Sequence, residues 1–482
     1  MILYLTELCD RQDESIGWGV KVVADVAREA GCDVRLVSMY GPLPADDPDA
    51  WLVSLPYAGN MPRIRQFFRF VGQPMNARER RSCVFLLGGH GVTNPDPLLD
   101  VFDLVFLGDA DDAGGLFRMP TDQWSEHPGV ISEAGAPVAW QESQSMRMRS
   151  WYAASFDSGD DAGKVGKTMY LEVAKGCAVG CSFCELGWAH KYAERTREET
   201  ESMIQAAVAA GADRSEIVLS APHTDGVRWF DQMVEDGAYD PRWRSTTVFR
   251  YSRSAPAGFS GKRGRIRFGV EGVTERLRVI AGKKISNEAL EAAVHRATAE
   301  GYRMMRVFLI GGLPTETAHD RQHIEDILGI YRRSRARHWK AYDIKVTGLS
   351  PQPFTPLQRA GIKGAIEAVD HYRAIRRMMQ RNDPYWRSVL VDTHTTEADV
   401  LKHMRPGQLL RYLTVRGDTD RPSRRDVRAW AEAAGLFWDE VLYGYTIADA
   451  LPWGNVRHPN ERKIRNAERL FWQRHITTER MA

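Results

Sequence analysis

Short apolar runs alternate with helix-spaced ones through the first ~110 residues, with few residues between them. Ile2 to Leu8, Asp33 to Tyr40, Trp51 to Leu55, Cys83 to Leu87 and Leu104 to Leu107 read as strands. Between the first two, Val20, Val23, Ala24 and Ala27 fall on one face of a helix from Gly19 to Ala30. This pattern predicts a doubly wound parallel sheet over residues 1–115. Functional loops in such sheets lie at the strand C-termini. Here they are Cys9-Asp10-Arg11, Ser54-Leu55-Pro56-Tyr57, Gly88-Gly89-His90-Gly91 and Gly108-Asp109-Ala110-Asp111.

Periodicity weakens over residues 116–165, where Gly, Asp, Ser and Pro accumulate and Asp157-Ser158-Gly159-Asp160-Asp161-Ala162-Gly163 reads as a flexible end. That stretch is expected to be an interdomain linker. Alternation resumes at Met169-Tyr170-Leu171-Glu172-Val173-Ala174 and continues through strands near Glu216 to Ser220, Thr246 to Arg250, Ile266 to Val270, Met304 to Ile310 and Tyr342 to Gly348. Six parallel strands with intervening helices, Asn287 to Glu300 the clearest, predict a partial (β/α)6 barrel over residues 166–360. Residues 361–482 read as a mainly helical C-terminal domain and a candidate for substrate binding.

Composition changes little in this picture. The chain has 482 residues, 43% of them hydrophobic, and 65 Lys+Arg against 63 Asp+Glu, so no whole-molecule pull on a polyanion follows. No apolar run approaches the ~18 residues of a membrane span, and Met1 leads straight into a strand. Six cysteines, Cys9, Cys32, Cys83, Cys177, Cys181 and Cys184, are too few and too scattered for a disulfide framework. A cytoplasmic, reducing location is expected.

Three of those cysteines carry the chemistry. Cys177, Cys181 and Cys184 sit in one loop at C-x3-C-x2-C spacing, just after the Met169 strand. Three thiolates so spaced can ligate three irons of a [4Fe-4S] cluster and leave the fourth iron open to a substrate. In β/α barrels, moreover, the strand C-termini form the catalytic face. The alternatives for this loop are a zinc knuckle lacking its fourth ligand, for which His190 is a candidate, and three buried thiols.

The cysteine loop, with Phe183 before the last cysteine, resembles the signature of the radical S-adenosylmethionine (SAM) superfamily. Three further stretches strengthen the resemblance. Phe268-Gly269-Val270-Glu271-Gly272-Val273-Thr274-Glu275-Arg276-Leu277 is similar to the run that ends the fourth barrel strand, where Glu271 would face SAM. Phe308-Leu309-Ile310-Gly311-Gly312-Leu313-Pro314-Thr315-Glu316-Thr317 is similar to the fifth-strand element, where Gly311 and Gly312 would border the adenine. Leu349-Ser350-Pro351-Gln352-Pro353-Phe354-Thr355-Pro356 resembles the sixth-strand element of members with a cobalamin (B12)-binding domain. Two other stretches resemble that same subgroup: Gly187-Trp188 before Tyr192-Ala193-Glu194-Arg195, and Leu451-Pro452-Trp453-Gly454-Asn455. Where the family carries Gly-Gly-Glu after the second strand, this chain has Ser220-Ala221-Pro222-His223-Thr224-Asp225, so Ser220 stands at the position expected to meet the SAM amino group.

The resemblance implies an enzyme that cleaves SAM reductively at a [4Fe-4S] cluster held by Cys177, Cys181 and Cys184. The product is a 5′-deoxyadenosyl radical that abstracts hydrogen from an unactivated carbon, and a reductase or flavodoxin-like protein is the electron donor. It also implies an N-terminal B12-binding-like domain whose Gly88-Gly89 loop approaches the corrin's nucleotide tail, although the Asp-x-His-x-x-Gly motif is missing. Taken alone, those glycines are explained by a tight turn needing positive φ.

Substrate class stays open. From His371 on there are 20 Lys+Arg against 14 Asp+Glu, with arginines beside aromatics at Tyr385-Trp386-Arg387, Arg424 to Trp430 and Arg462 to Trp472. Such interleaving suits phosphate contacts plus base stacking, and favours modification or isomerisation of a nucleobase in DNA or RNA. The alternative reading of that region is amphipathic helices with Trp in the core and Arg on a solvated face. A cobalamin-dependent methyltransferase on a small molecule or peptide is the alternative activity. A methylthiotransferase would need cysteines at three N-terminal strand ends, and only Cys9 fits. A non-enzymatic binding module is the last reading.

Overall fold

Residues 1–9, 17–80, 83–143, 169–209, 213–214, 217–239, 243–251, 264–334, 339–392 and 396–475 are described by the computed structural model. The chain divides into two compact units. Unit 1 comprises Met1–Gly166, Thr395–Leu442 and Asp449–Glu461; unit 2 comprises Lys167–His394, Tyr443–Ala448 and Arg462–Ala482.

In unit 1, Ile2–Glu7 (β1), Asp33–Leu36 (β2), Ala50–Ser54 (β3), Val84–Gly88 (β4), Leu104–Phe106 (β5) and Val130–Ile131 (β6) form a sheet of order β2-β1-β3-β4-β5-β6. Pairing is parallel up to β5, and β6 closes the edge antiparallel. Alternation along the strands supplies both faces. Leu3, Leu5, Leu52 and Leu86 point to one side, where they pack with Val20, Ala24 and Ala27 of the helix Trp18–Glu29. Tyr4, Trp51 and Phe85 point to the other: Tyr4 meets Trp51 edge-on, and Trp51 and Phe85 make edge-on or tilted ring contacts with Phe67 and Phe68 of the helix Arg63–Phe70. The doubly wound sheet expected over residues 1–115 is thus present, with the flavodoxin-like order that reverses direction between β1 and β3.

The expected linker differs. Its described part, up to residue 143, folds into unit 1: Trp124 is fully buried, and Val138–Ala139 (β7) pairs with the strand Val456–Arg457. The remainder, residues 144–165 with the Asp157–Gly163 run, lies outside the described residues.

In unit 2, Met169–Glu172 (β8) is followed by Ala174–Lys175 (β9), which pairs antiparallel with Ala193–Glu194 (β10). Ile217–Ser220 (β11) lies parallel to β8. Trp243–Thr246 (β12), Arg265–Glu271 (β13), Met304–Gly311 (β14), Ala341–Gly348 (β15) and Val389–Val391 (β16) make a five-stranded parallel sheet in that order. Five of the six strands expected of the barrel are present where expected, and the sixth is displaced toward the N-terminus. Among the described residues they hydrogen-bond as a pair and a five-stranded sheet, and β16 was not anticipated. The expected strand Thr246 to Arg250 is corrected: the strand stops at Thr246 and Val248–Tyr251 is a helical turn. Val248 and Tyr251, three apart and both fully buried, share the inward face that a helical turn provides.

The expected C-terminal domain, residues 361–482, is not a body of its own. Lys363–Met379 packs on β14 and β15 of unit 2, the helices Thr396–Lys402, Gln408–Arg416 and Arg424–Ala433 belong to unit 1, and Glu461–His475 lies almost wholly in unit 2. No helix among the described residues is long and apolar enough to cross a membrane.

Candidate functional site

The chemistry-bearing loops of unit 2 follow the C-terminal ends of its parallel strands. The cysteine loop leaves β9 through Gly176 and turns again at Gly180, with φ of 63° and 58°. A side chain at Gly176 would sit 2.7 Å from the Lys191 carbonyl, so only glycine lets the two strands of the loop approach so closely. The Trp188 indole donates to the Cys181 carbonyl at 2.8 Å and Cys184 N–H to the same oxygen at 3.3 Å. Ser182 anchors the loop outward: its hydroxyl donates to the Ile280 carbonyl at 2.7 Å, its N–H to the Ala281 carbonyl at 3.2 Å, and its carbonyl accepts from Leu357 N–H at 3.1 Å. The loop is therefore held by the C-terminal end of the helix Glu275–Ile280 and by the segment after Pro356.

Cys181 is buried, whereas Cys177 and Cys184 are half-buried. Burial pushes the Cys181 thiol up to about 12, opposed by the Lys283 cation and reinforced by Glu271 and the other two cysteines. Burial likewise pushes Cys184 up to about 11. Such thiols ionise only with strong cationic help, which iron supplies to a ligating thiolate. Val179 N–H already donates to the Cys177 sulfur at 3.4 Å. Among the described residues no three His, Cys, Asp or Glu side chains converge as one metal ion would require. A four-iron cluster makes a different demand, since each of its thiolates binds a separate iron. Three thiols on one pinned loop, Cys181 buried and Cys177 and Cys184 half-buried, suit that arrangement.

Glu271 ends β13 with φ of 70°, where a β-bulge shifts the register between Gly269 and Glu271. Its carboxylate is 8% exposed as a residue and accepts from Lys283 Nζ at 2.7 Å; the same ammonium donates to the Gly269 carbonyl at 3.0 Å. Burial opposes the Lys283 charge, but Glu271 and the cysteines outweigh it and raise its pKa. Arg278, fully buried, donates to the carbonyls of Gly272, Val273 and Ile285 and so fixes the turn behind Glu271.

Gly311 and Gly312 end β14. A side chain at Gly312, whose φ is 85°, would come within 2.2 Å of the Ala365 nitrogen, and one at Gly311 within 3.0 Å of the Ala368 Cβ. Both glycines are thus required by the helix Lys363–Met379. Their turn is tied down by Glu316, which accepts from the N–H groups of Gly312 and Leu313 and from Arg321 Nε at 3.0 Å. Phe183 packs on the unit 2 core. Ser220 ends β11, opposite Glu172 of β8, and its carbonyl accepts from Val173 N–H at 2.9 Å. The Tyr192 to Arg195 run is structural: Arg195 Nε donates to the Glu172 carbonyl at 2.9 Å and Tyr192 to the Gly226 carbonyl at 2.8 Å.

The structure therefore sets Cys177, Cys181, Phe183 and Cys184 on one loop that lies against Gly282, next to the Lys283 that pairs with Glu271; Gly311 ends β14, the neighbour of β13, while Ser220 ends β11 in the two-stranded sheet with β8. Lys283 was missed in the sequence. Gly282-Lys283-Lys284 has no motif, and only the fold brings it back to Glu271, twelve residues away.

In unit 1 the Gly88-Gly89 loop has a different reason for its glycines. At Gly89, with φ of 110°, a side chain would lie 2.6 Å from the Leu55 carbonyl oxygen, and at Gly91 2.6 Å from the Tyr57 carbonyl carbon. Leu55 N–H donates to the Gly88 carbonyl and Gly91 N–H to the Leu55 carbonyl, each at 2.8 Å. Gly89 and Gly91 are thus required by the loop's packing on Leu55 and Tyr57, whereas a side chain at Gly88 would meet nothing closer than 3.8 Å. Asp10 and Arg11, in the loop after β1, lie outside the described residues.

Residues 23–127 match the family model for radical SAM proteins, N-terminal region. An uncharacterized protein of Methanocaldococcus jannaschii is 21% identical over 282 residues, 58% of this chain, and the chain spans 62% of that relative's length. The fold is similar to that of the radical SAM methyltransferase TsrM from Kitasatospora setae. With cobalamin and a [4Fe-4S] cluster bound, that structure gives a TM-score of 0.53 at 15% identity, covering 78% of this chain and 79% of TsrM. With tryptophan substrate and the SAM analogue aza-SAM bound, it gives 0.52 at 16% identity, covering 78% and 77%. The family match thus shows a likeness to radical SAM proteins over residues 23–127, and TsrM shares the α/β architecture.

Proposed function

We propose that the chain is a radical SAM enzyme whose cluster is held by Cys177, Cys181 and Cys184. The observation that carries this is the single pinned loop presenting three thiols beside the Glu271–Lys283 pair at the end of β13. When bound, the cluster supplies the electron that splits the SAM sulfonium. The residues of the chain do the rest. Ser182 and Trp188 hold the loop backbone that carries the thiols. Glu271 offers a buried carboxylate to the cationic amino group of SAM, and Arg278 keeps it there by holding the following turn. Ser220 and the Gly311-Gly312 turn border the same strand ends, and Phe183 supplies an apolar wall.

The nucleobase reading loses its main support. Trp386 and Trp472 are buried in the unit 2 core, and Trp430 is half-buried against Tyr412 with ring centroids 6.1 Å apart. Rings so placed do not stack on bases, and the three Arg/aromatic stretches belong to two different units. A small-molecule or peptide substrate is the preferred class. Methyl transfer with cobalamin is a second reading, supported by the flavodoxin-like sheet and the fold shared with TsrM. Packing on Leu55 already accounts for Gly89, so that glycine adds no separate support for a corrin.

Anaerobic reconstitution tests the main reading. About four irons per chain, with release of 5′-deoxyadenosine on addition of SAM and reductant, are expected. About eight irons, or SAM left intact, would overturn it. Stoichiometric retention of added hydroxocobalamin through gel filtration would favour the second reading.

A further inference from the structure

We infer that Lys283 is a positioning residue that sets the charge beside the cluster, and that Glu271 and Lys283 act as a balanced pair that fixes its reduction potential. The inference rests on the proposed cluster at Cys177, Cys181 and Cys184. Its own basis is geometric. The Lys283 and Glu271 side chains are each only 11% exposed, and the ammonium reaches the Glu271 carboxylate at 2.7 Å and the Gly269 carbonyl at 3.0 Å. Gly282, next to Lys283, lies against the cysteine loop, since a Cβ there would be 3.1 Å from both Cys181 Cα and Ser182 N. The chain thus brings a buried cation and a buried anion to the backbone of a thiolate loop.

Buried charges at such range are weakly screened, and the potential of an iron–sulfur cluster follows the net charge and hydrogen bonding around it. A cation stabilises the reduced, more negative cluster and raises its potential; an anion lowers it. Together the two nearly cancel. Because Lys283 engages one Glu271 oxygen, Oε1, it also fixes which face of the carboxylate is left for a ligand. Once a ligand amino group takes up Glu271, the anion is offset and the effect of Lys283 is no longer cancelled, so the same pair couples SAM binding to easier reduction.

The test is an EPR-monitored redox titration of the reconstituted full chain without SAM. Lys283→Met should lower the midpoint, Glu271→Gln should raise it, and the double variant should return close to the parent. Lys283→Arg should keep the parent midpoint. Wild-type chain that takes up iron but gives midpoints independent of these charges overturns the inference while leaving the cluster intact. A chain that takes up no iron overturns both. Should Lys283→Met fold poorly, Glu271→Gln compared with the double variant isolates the lysine in a background without a buried unpaired carboxylate.

Discussion

Both units end their parallel strands in glycine-containing loops, yet the two edges are built differently. At the unit 1 edge the positive-φ positions after β4 and β5 are Gly89 and Gly108, and each is pressed against the chain's own backbone, Leu55 and Gln141 respectively. At the unit 2 edge three non-glycine residues adopt positive φ: Glu271 at 70°, Thr315 at 66° and Phe354 at 61°, at or just past the ends of β13, β14 and β15. Among the described residues these are the non-glycine positions with that conformation. Each costs on the order of 1–3 kcal/mol and persists only where its surroundings hold it. Arg278 behind Glu271, Arg276 bonded to Thr315 and Asp320, and the Phe354 N–H bonded to Gln358 are such surroundings. Glycine at either edge answers a packing need, whereas a side-chain-bearing residue held at positive φ is a candidate for a functional role. Of the three, Glu271 is the residue to which the proposed function assigns a role.

The strongest way to break this contrast is to exchange cysteines. Cys177→Ala, Cys181→Ala or Cys184→Ala should abolish both the iron chromophore and 5′-deoxyadenosine release, while Cys32→Ala, whose thiol only reaches the Phe117 carbonyl at 3.5 Å, should retain full iron. Loss of iron from Cys32→Ala, measured by chemical iron assay, would move a cluster ligand into unit 1.

Next come the packed glycines, which should behave alike at both edges. Gly312→Ala drives a methyl to 2.2 Å from the Ala365 nitrogen and Gly89→Ala one to 2.6 Å from the Leu55 oxygen, both at positive φ. Each should cost about 3 kcal/mol in denaturant unfolding, because backbone must move. Gly31→Ala, at φ of 91° with nothing within 4 Å, should cost only about 1 kcal/mol.

Much of this was legible in the sequence. Strand positions followed from apolar runs, and the cysteine loop, Glu271 and the Gly311-Gly312 turn from short motifs, because each is local. What stayed hidden depends on contacts between distant segments. The Val248–Tyr251 turn looked like a strand since β-branched and aromatic residues suit either state in so short a run. The pairing of Asp399 with Lys402, both side chains at most 4% exposed, and the bonds from Asn94 to the carbonyls of Lys402 and Met404 fold the C-terminal helices into unit 1 through polar groups. Periodicity does not report such contacts. Lys283 escaped for the same reason.

A pH titration sharpens the picture of unit 1. Glu7, at the end of β1, is 8% exposed and accepts from Gly17 N–H at 3.1 Å; burial, against that bond, lifts its carboxyl to about 7. The folded state therefore holds the proton more tightly than the unfolded one. This contribution is fully present below the ordinary glutamate range and is lost as pH rises through about 7, where it levels off. The change is on the order of 3 kcal/mol at most. Glu7→Gln should flatten the stability profile between about pH 4 and 8 and raise stability at pH 8. An unchanged slope would mean the carboxylate is solvated.

Smaller still is the effect on ligand binding at the other edge. Glu271→Ala should weaken SAM binding about tenfold, roughly 1.4 kcal/mol, by equilibrium dialysis, with the cluster spectrum preserved. Unchanged affinity would return Glu271 to a structural role in the β13 bulge.

The smallest effect is expected where the sequence suggested a polyanion. The helix Arg424–Ala433 of unit 1 carries Arg424 and Arg425 in its first turn, where the positive end of the helix dipole disfavours cations, so replacing them with Glu is stabilising by a few tenths of a kcal/mol. Arg428 instead pairs with Glu432 at 2.7 Å one turn on, and both side chains are about half exposed, so reversing it loses a similar amount. The two changes offset. The triple reversal should therefore shift stability by no more than about 0.5 kcal/mol. Wild-type chain should likewise show no steep salt dependence toward single-stranded DNA, because the aromatic partner Trp430 is engaged with Tyr412 and Arg416 rather than presented for stacking. A log–log slope of about −2 or steeper, flattened by the reversal, would mean that the arginines contact phosphates, and would restore a nucleic-acid substrate.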